Sequence, residues 1–189
     1  MKNWLKSVLG FLLYIALVLL LVFVFNHYVT GGAMVEGPSM NPTLEDGDRL
    51  VLNKLSYRFD QLDRYDVIVF KYAYDTDSYY VKRVIGVPGQ TVSYHQDQLY
   101  IDGEPIEEPY LDEGKLLVSY SGEFTWDFTL QEICQFDPCD VIPEGYYLVL
   151  GDNRPHSKDS RHIGLISEDQ ILGKATWIQW PLSSFGRIE

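Results

Sequence analysis

The sequence predicts a mainly β protein: an antiparallel sheet domain with a small inserted subdomain, preceded by one N-terminal transmembrane helix. Three observations predict it. Val8 to Phe25 runs eighteen residues without a charge or a proline. Beyond it, branched aliphatic and aromatic residues gather in short runs bounded by Gly, Pro and Asp turn signals. No long helical period follows the apolar run, so sheets rather than helices must build the core.

The chain has 189 residues, enough for one domain with a real core plus a small insertion. Lys and Arg total 15 against 27 for Asp and Glu, a net charge of -12. That balance excludes nucleic acid as the main partner, because phosphate binding needs a basic footprint. Aromatic residues at 14% and charged residues at 22% describe a folded chain rather than a disordered one.

Residues 1–7 form a short start carrying Lys2 and Lys6. The apolar run then gives an anchor over 8–26, close to the ~20 residues that span a bilayer as helix. A soluble core helix would show a polar face, and this run has none. The two leading lysines predict a cytoplasmic N-terminus and an exported remainder. The alternative is a cleaved secretory signal. Against it, the run exceeds the usual ~7–15-residue apolar region, and the nearest small-residue site, Gly31-Gly32-Ala33, lies far downstream.

Residues 33–189 make up the exported β-rich domain. Arg49 to Leu55 reads as a strand after the Glu45-Asp46-Gly47 turn, and Tyr65 to Lys71 as a buried strand. Ala73 to Ser78 is polar and reads as a loop; Tyr79 to Ile85 is the next strand, closed by Gly86 and Pro88-Gly89. Leu99 to Ile106 reads as a hairpin, because Asp102-Gly103 suits a type I′ turn. About 107–140 is less regular, carries several aromatics and both cysteines, and reads as the inserted subdomain. Tyr146 to Leu150 is another strand. Ser167-Glu168-Asp169-Gln170 has a helix-opening form, and Lys174 to Trp180 is the last strand. Cys134 and Cys139 allow either a local disulfide outside the cytoplasm or two reduced thiols; the spacing is not that of a redox pair.

Two stretches bear chemistry. Ser39 sits in the Gly/Pro-rich bend Val35-Glu36-Gly37-Pro38-Ser39-Met40-Asn41-Pro42-Thr43-Leu44. A serine hydroxyl needs a positioned base to act as a nucleophile at neutral pH. Lys82 interrupts the apolar run Tyr79-Tyr80-Val81 and Val84-Ile85. Apolar surroundings disfavour the charged amine, so such a lysine has a depressed pKa and can accept a proton. Ser39 as nucleophile and Lys82 as base is therefore one reading; a turn serine and an edge lysine is the other. His27, His95, His156 and His162 are the rival bases, but no Gly-x-Ser-x-Gly elbow or His-Glu-x-x-His pattern accompanies them. A third stretch, Gly151 to Gly164, is dense in hydrogen-bonding groups and reads either as a solvated loop or as the groups that hold Lys82.

Together these stretches resemble the type I signal peptidases, membrane-anchored Ser-Lys endopeptidases, in their Gram-positive form. Gly37-Pro38-Ser39-Met40-Asn41-Pro42-Thr43-Leu44 is similar to the family's nucleophile segment, and Asp66-Val67-Ile68-Val69-Phe70 to its apolar strand. Lys82-Arg83-Val84-Ile85-Gly86 with Pro88-Gly89 is similar to its lysine segment. Gly151-Asp152-Asn153-Arg154 with Ser157-x-Asp159-Ser160-Arg161 is similar to its last segment. The four appear in the family's order behind the anchor.

The resemblance implies removal of signal peptides from exported preproteins after small residues, through an acyl-enzyme and without metal or organic cofactor. By it, Ser39 is acylated, Lys82 is the base, Ser157 orients the amine, Asp159 and Arg161 form a supporting ion pair, and Asp152 and Arg154 brace the loop. The Ser39 N–H would donate to the oxyanion. Gly37 stands where one branch of the family has a serine, which leaves the second oxyanion donor unassigned. Val35, Gly37, Met40, Leu44, Ile68, Tyr80 and Val81 are the expected substrate contacts. The implied partners are signal peptides, the lipid bilayer and the secretion translocon. A specialised processing peptidase of a conjugation or pilus system and an inactive assembly chaperone are the alternatives.

Overall fold

In the computed structural model, helix α1 runs Lys2–Val24 and carries an 18-residue apolar window, Lys6–Phe23, none of it buried against the rest of the chain. The helix is apolar on every side, so no face of it is matched to a soluble core. It is long and apolar enough to cross a membrane. The structure describes residues 2–24, 30–54, 62–72, 75–117, 122–134 and 139–188. The last residues of the expected anchor, His27, Leu55, Tyr120 and Phe136 lie outside the described residues.

Twelve described strands follow in two antiparallel sheets. The larger contains β1 (Thr30–Met34), β2 (Arg49–Asn53), β3 (Val67–Tyr72), β4 (Asp75–Gly86), β9 (Tyr146–Leu150), β10 (Ile166–Ser167), β11 (Ile171–Trp180) and β12 (Gly186–Arg187). Its order is β1-β2-β11-β3-β4-β9-β10, with β12 beside β11. The smaller has order β7-β6-β5-β8, from β5 (Val92–His95), β6 (Gln98–Ile101), β7 (Glu104–Ile106) and β8 (Phe128–Thr129). Short helices α2 (Asp112–Leu117), α3 (Leu130–Ile133) and α4 (Ser160–Ile163) complete it.

Strand β3 shows how the alternation is spent. Val67 and Val69 enter one core with Met40, Leu44, Leu50, Leu52 and Val81, while Ile68 and Phe70 enter another with Val84, Tyr147, Val149 and Ile166. A strand buried on both faces reads as a continuous apolar run, which Val67-Ile68-Val69-Phe70 is. In β4 a register shift between Val84 and Gly86 turns the next residue, Ile85, into a third core beneath the smaller sheet, with Val92, Tyr94, Leu99 and Leu148.

Three expectations change. Strand β4 starts at Asp75, within the segment read as a loop, and Tyr72 pairs with Asp75. Pairing there is made by backbone groups, which a polar sequence supplies as well as an apolar one. The smaller sheet starts before the subdomain expected at about 107–140, because β5 to β7 already belong to it; the described residues of 107–140 add β8 and short helices. The helix expected after Ser167 is one 3₁₀ turn, Glu168–Gln170, where the Gln170 side chain accepts from Ser167 N at 2.9 Å. The Asp102-Gly103 hairpin has φ of 54° and 82°, as a type I′ turn requires. Cys134 and Cys139 form a disulfide, which selects between the two states the sequence left open.

Gly86 marks the junction of the two sheets. A Cβ there would lie 2.5 Å from Ile142 Cδ1 and 2.6 Å from Val92 Cγ2. Gly86→Ala is expected to destabilise the domain by about 1–3 kcal/mol through overpacking. The check is chemical denaturation of the full chain in detergent, where an unchanged midpoint would contradict the close approach.

Candidate functional site

The bend before Ser39 is built from its ends. Gly37 has φ of +81°, a conformation that side chains rarely adopt, and its N–H donates to Asp46 Oδ1 at 2.7 Å. Met40 and Leu44 are fully buried in the core on the far side, and Leu44 N donates to Met40 O at 2.9 Å. Ser39 is thus held between an anchored turn and a fixed glycine. The loop after β9 holds it from the other side: Asn153 N donates to Ser39 O at 3.1 Å, and Asn153 Nδ2 to Pro38 O at 3.0 Å.

Lys82 comes from β4, opposite Ile68 of β3, and is 3% exposed. Its Nζ lies 2.7 Å from Ser39 Oγ and 2.8 Å from Val81 O. Burial lowers its pKa to about 8, against the smaller opposing pull of the Asp159 and Asp152 carboxylates. A neutral amine in contact with a hydroxyl can take its proton, and the resulting ammonium can return one. Among the histidines, His95 pairs with Asp127 at 2.6 Å, His156 with Asn153 Oδ1 at 3.1 Å, and His162 packs on the Trp126 ring. Among the described residues no group of three His, Cys, Asp or Glu is placed to hold a metal.

Two guanidinium groups occupy the nearby carboxylates. Asp152 is gripped by Arg83 through Nε at 2.9 Å and Nη2 at 2.7 Å, and accepts from Thr43 Oγ1 at 2.6 Å. Asp159 is gripped by Arg161 through Nε and Nη2, each at 2.8 Å, and accepts from Gly151 N at 3.0 Å. Burial pushes the Asp159 carboxyl up, but Arg161 and the Gly151 N–H overcome it and leave the pKa low. Trp126 covers Arg161, its ring 4.3 Å from the guanidinium carbon.

Arg154 turns the other way. It is fully buried and meets Glu108 through Nη2 at 2.5 Å, Thr125 Oγ1 at 3.1 Å and Tyr94 Oη at 3.0 Å, all outside the larger sheet. The Glu108 carboxylate also accepts from the Tyr94 and Tyr110 hydroxyls. Arg154 Nε donates to Gly151 O at 3.1 Å, and Arg161 Nη2 to Arg154 O at 2.7 Å. The smaller sheet is therefore clamped to the loop that carries Asn153 and Asp159.

The structure brings Ser39, Lys82, Asp152, Arg154, Asp159 and Arg161 into one connected region. Asp152 and Arg154 each take an ion-pair partner from elsewhere in the chain, Arg83 and Glu108. Ser157 is 6% exposed, but its Oγ has no hydrogen-bond partner and makes no bond to Lys82. It lies close enough to Asp159 to help keep that carboxyl low. The expected substrate contacts divide between two cores. Val35, Met40, Leu44 and Val81 share one, while Ile68 and Tyr80 belong to the other, because alternate strand residues face opposite sides. Met40, Leu44 and Ile68 are wholly buried and offer no open wall.

Sequence reasoning missed Arg83, Asn153, Thr43, Asp46 and Glu108. Arg83 follows Lys82 directly, so strand alternation sends it the opposite way, a signal available in the sequence. Nothing near Glu108 marks it as the partner of a residue 46 positions away.

The family model described as "Signal peptidase, peptidase S26" matches residues 3–180. Signal peptidase IB of Staphylococcus aureus (strain COL) is 42% identical over 182 residues, 95% of this chain and 93% of the relative. Signal peptidase I of Bacillus caldolyticus is 46% identical over 166 residues, 87% of this chain and 84% of the relative. A crystal structure of a signal peptidase I from Enterococcus faecalis V583 superposes with a TM-score of 0.56 and 40% identity, covering 62% of this chain and 98% of that one.

Removing one partner of a buried ion pair leaves an uncompensated charge. Glu108→Ala is expected to cost about 3–5 kcal/mol, read as a lowered denaturation midpoint of the full chain in detergent. A loss no greater than that of an exposed Glu→Ala control would remove the clamp.

Proposed function

The chain belongs to the S26 signal peptidase family, a family of membrane serine endopeptidases that remove signal peptides from preproteins, and we propose that it does so with Ser39 as nucleophile and Lys82 as general base. The observation that carries this assignment is the 2.7 Å contact of a buried amine, its pKa lowered to about 8, with the serine hydroxyl. The relatives carry the name signal peptidase I or IB, which favours this reading over a specialised processing peptidase or an inactive chaperone.

The neutral Lys82 amine takes the Ser39 Oγ proton as Oγ attacks the carbonyl carbon of the scissile bond. The tetrahedral intermediate collapses to a Ser39 ester, and the Lys82 ammonium gives its proton to the departing amine. A water, deprotonated by the again neutral amine, then attacks the ester and releases the signal peptide. The Ser39 N–H is the first oxyanion donor. The Gly37 N–H is already engaged by Asp46, so the second donor comes from elsewhere. Asp159, Arg161, Asp152 and Arg154 act through position, holding the loop that supports Ser39. Ser157, whose buried Oγ has no hydrogen-bond partner here, is assigned the orienting of the amine in the substrate complex.

Cleavage is expected after small residues, as the resemblance of the sequence to the family implies. Helix α1 anchors the chain, with the N-terminus cytoplasmic on the evidence of Lys2 and Lys6 and the β domain on the outer face. Anchoring keeps the site where signal peptides emerge from the translocon and raises its effective concentration.

The assignment is tested by preprotein cleavage in detergent. Ser39→Ala and Lys82→Met are each expected to lower the rate by about a thousandfold or more, as members of a catalytic unit do. Near-normal turnover by either would overturn the pair. Because the base acts only when neutral, kcat/KM of the wild type should rise about tenfold per pH unit below its pKa and level off above about 8. A level profile from neutral to alkaline pH would reject a lysine base.

A further inference from the structure

A cleft of about 340 Å³ lies where β3, β11 and β12 meet, lined by Arg64, Lys174 and Arg187 with Asp66 as its one acidic side chain. Lys174 pairs with Asp66 at 2.5 Å, which leaves two guanidinium groups in excess. In a chain of net charge -12, three cations against one anion run opposite to the rest of the molecule. Arg64 Nε is buried and has no hydrogen-bond partner, so a donor at this cleft is unused.

One register row links the cleft to the first strand after α1: Lys174 pairs with Asn53, and Asn53 with Thr30. Thr30 is six residues beyond the end of α1, a chain length of at most about 20 Å. The same ribbon carries exposed apolar surface. Arg187 is directly cross-strand from Trp177, so the two side chains share a face, and Trp177 packs on Phe185 at 5.7 Å between ring centres. Trp180, Leu182 and Phe185 are each more than half exposed. Aromatic residues beside arginines are the composition that settles at a membrane interface.

We propose that the Arg64–Lys174–Arg187 cleft binds the phosphate of an anionic phospholipid headgroup in the leaflet beneath the β domain. The two arginines grip the phosphate oxygens, Lys174 adds charge from its place beside Asp66, and Trp177 and Phe185 lie toward the acyl region. Free phosphate shares the chemistry but not the apolar surface, so a lipid is the occupant. The inference rests on α1 anchoring the chain and not on the Ser39–Lys82 assignment.

The test releases the full chain from detergent micelles holding equal phosphatidylglycerol and phosphatidylcholine, and counts retained lipid by native mass spectrometry. Phosphatidylglycerol should be retained about fivefold or more over phosphatidylcholine, the ratio that one headgroup-facing cation supplies. The excess should vanish in R64Q/R187Q, persist in K2Q/K6Q (which removes the cations at the other end of α1), and survive an excess of inorganic phosphate. Equal retention of the two lipids, an excess that remains in R64Q/R187Q, its loss in K2Q/K6Q, or displacement by inorganic phosphate would each overturn the site. Partition of the wild type into phosphatidylcholine vesicles is measured alongside. A chain that partitions without lipid preference fails this proposal alone; one that does not partition fails the anchor on which it rests.

Discussion

An amine buried beside two carboxylates, yet paired with neither, is the constraint on which the site depends. A lysine that gained Asp152 or Asp159 as a direct partner would be held charged and could not accept a proton. The fold prevents this by giving each carboxylate a guanidinium of its own, Arg83 for Asp152 and Arg161 for Asp159. Their distant fields still raise the Lys82 pKa, but less than burial lowers it. What remains for the amine is the serine hydroxyl, a backbone carbonyl and, at 5.8 Å, the Tyr80 ring.

Strand geometry makes that separation possible. Lys82 and Arg83 are neighbours in sequence, and alternation sends one toward Ser39 and the other toward Asp152 and Tyr65 O. Two cations that would repel on a helix face are kept on opposite sides of one strand. Three residues on, the register shift near Gly86 directs Ile85 under the smaller sheet, so a single strand serves three cores. The site sits where those cores converge, which explains how a bend rich in Gly and Pro is held still.

The smaller sheet contributes through Arg154. Its buried guanidinium meets Tyr94 of that sheet together with Glu108 and Thr125, and its backbone belongs to the loop that fixes the Ser39 carbonyl through Asn153. Gly151 is required at the same place, since a Cβ there would overlap both Ser157 Oγ and Ser39 O. Disturbance of the inserted segment therefore reaches Ser39 through few bonds.

The apolar run, the mainly β class, the Asp102-Gly103 hairpin and the Ser39 and Lys82 stretches were legible in the sequence, because each is a local pattern: a period, a turn dipeptide, a lysine set among aliphatics. The pairing of Asp159 with Arg161 was legible for the same reason, at a spacing of two residues. Arg83 with Asp152, 69 residues apart, and Arg154 with Glu108, 46 apart, were not. Nor was the division of the expected substrate contacts between two cores, which turns on a strand's register. The sequence by itself determined the elements and the chemistry each could carry. Tertiary structure alone decided which charge met which, because ion-pair partners are chosen by sheet order and register across distances that no local window of residues contains.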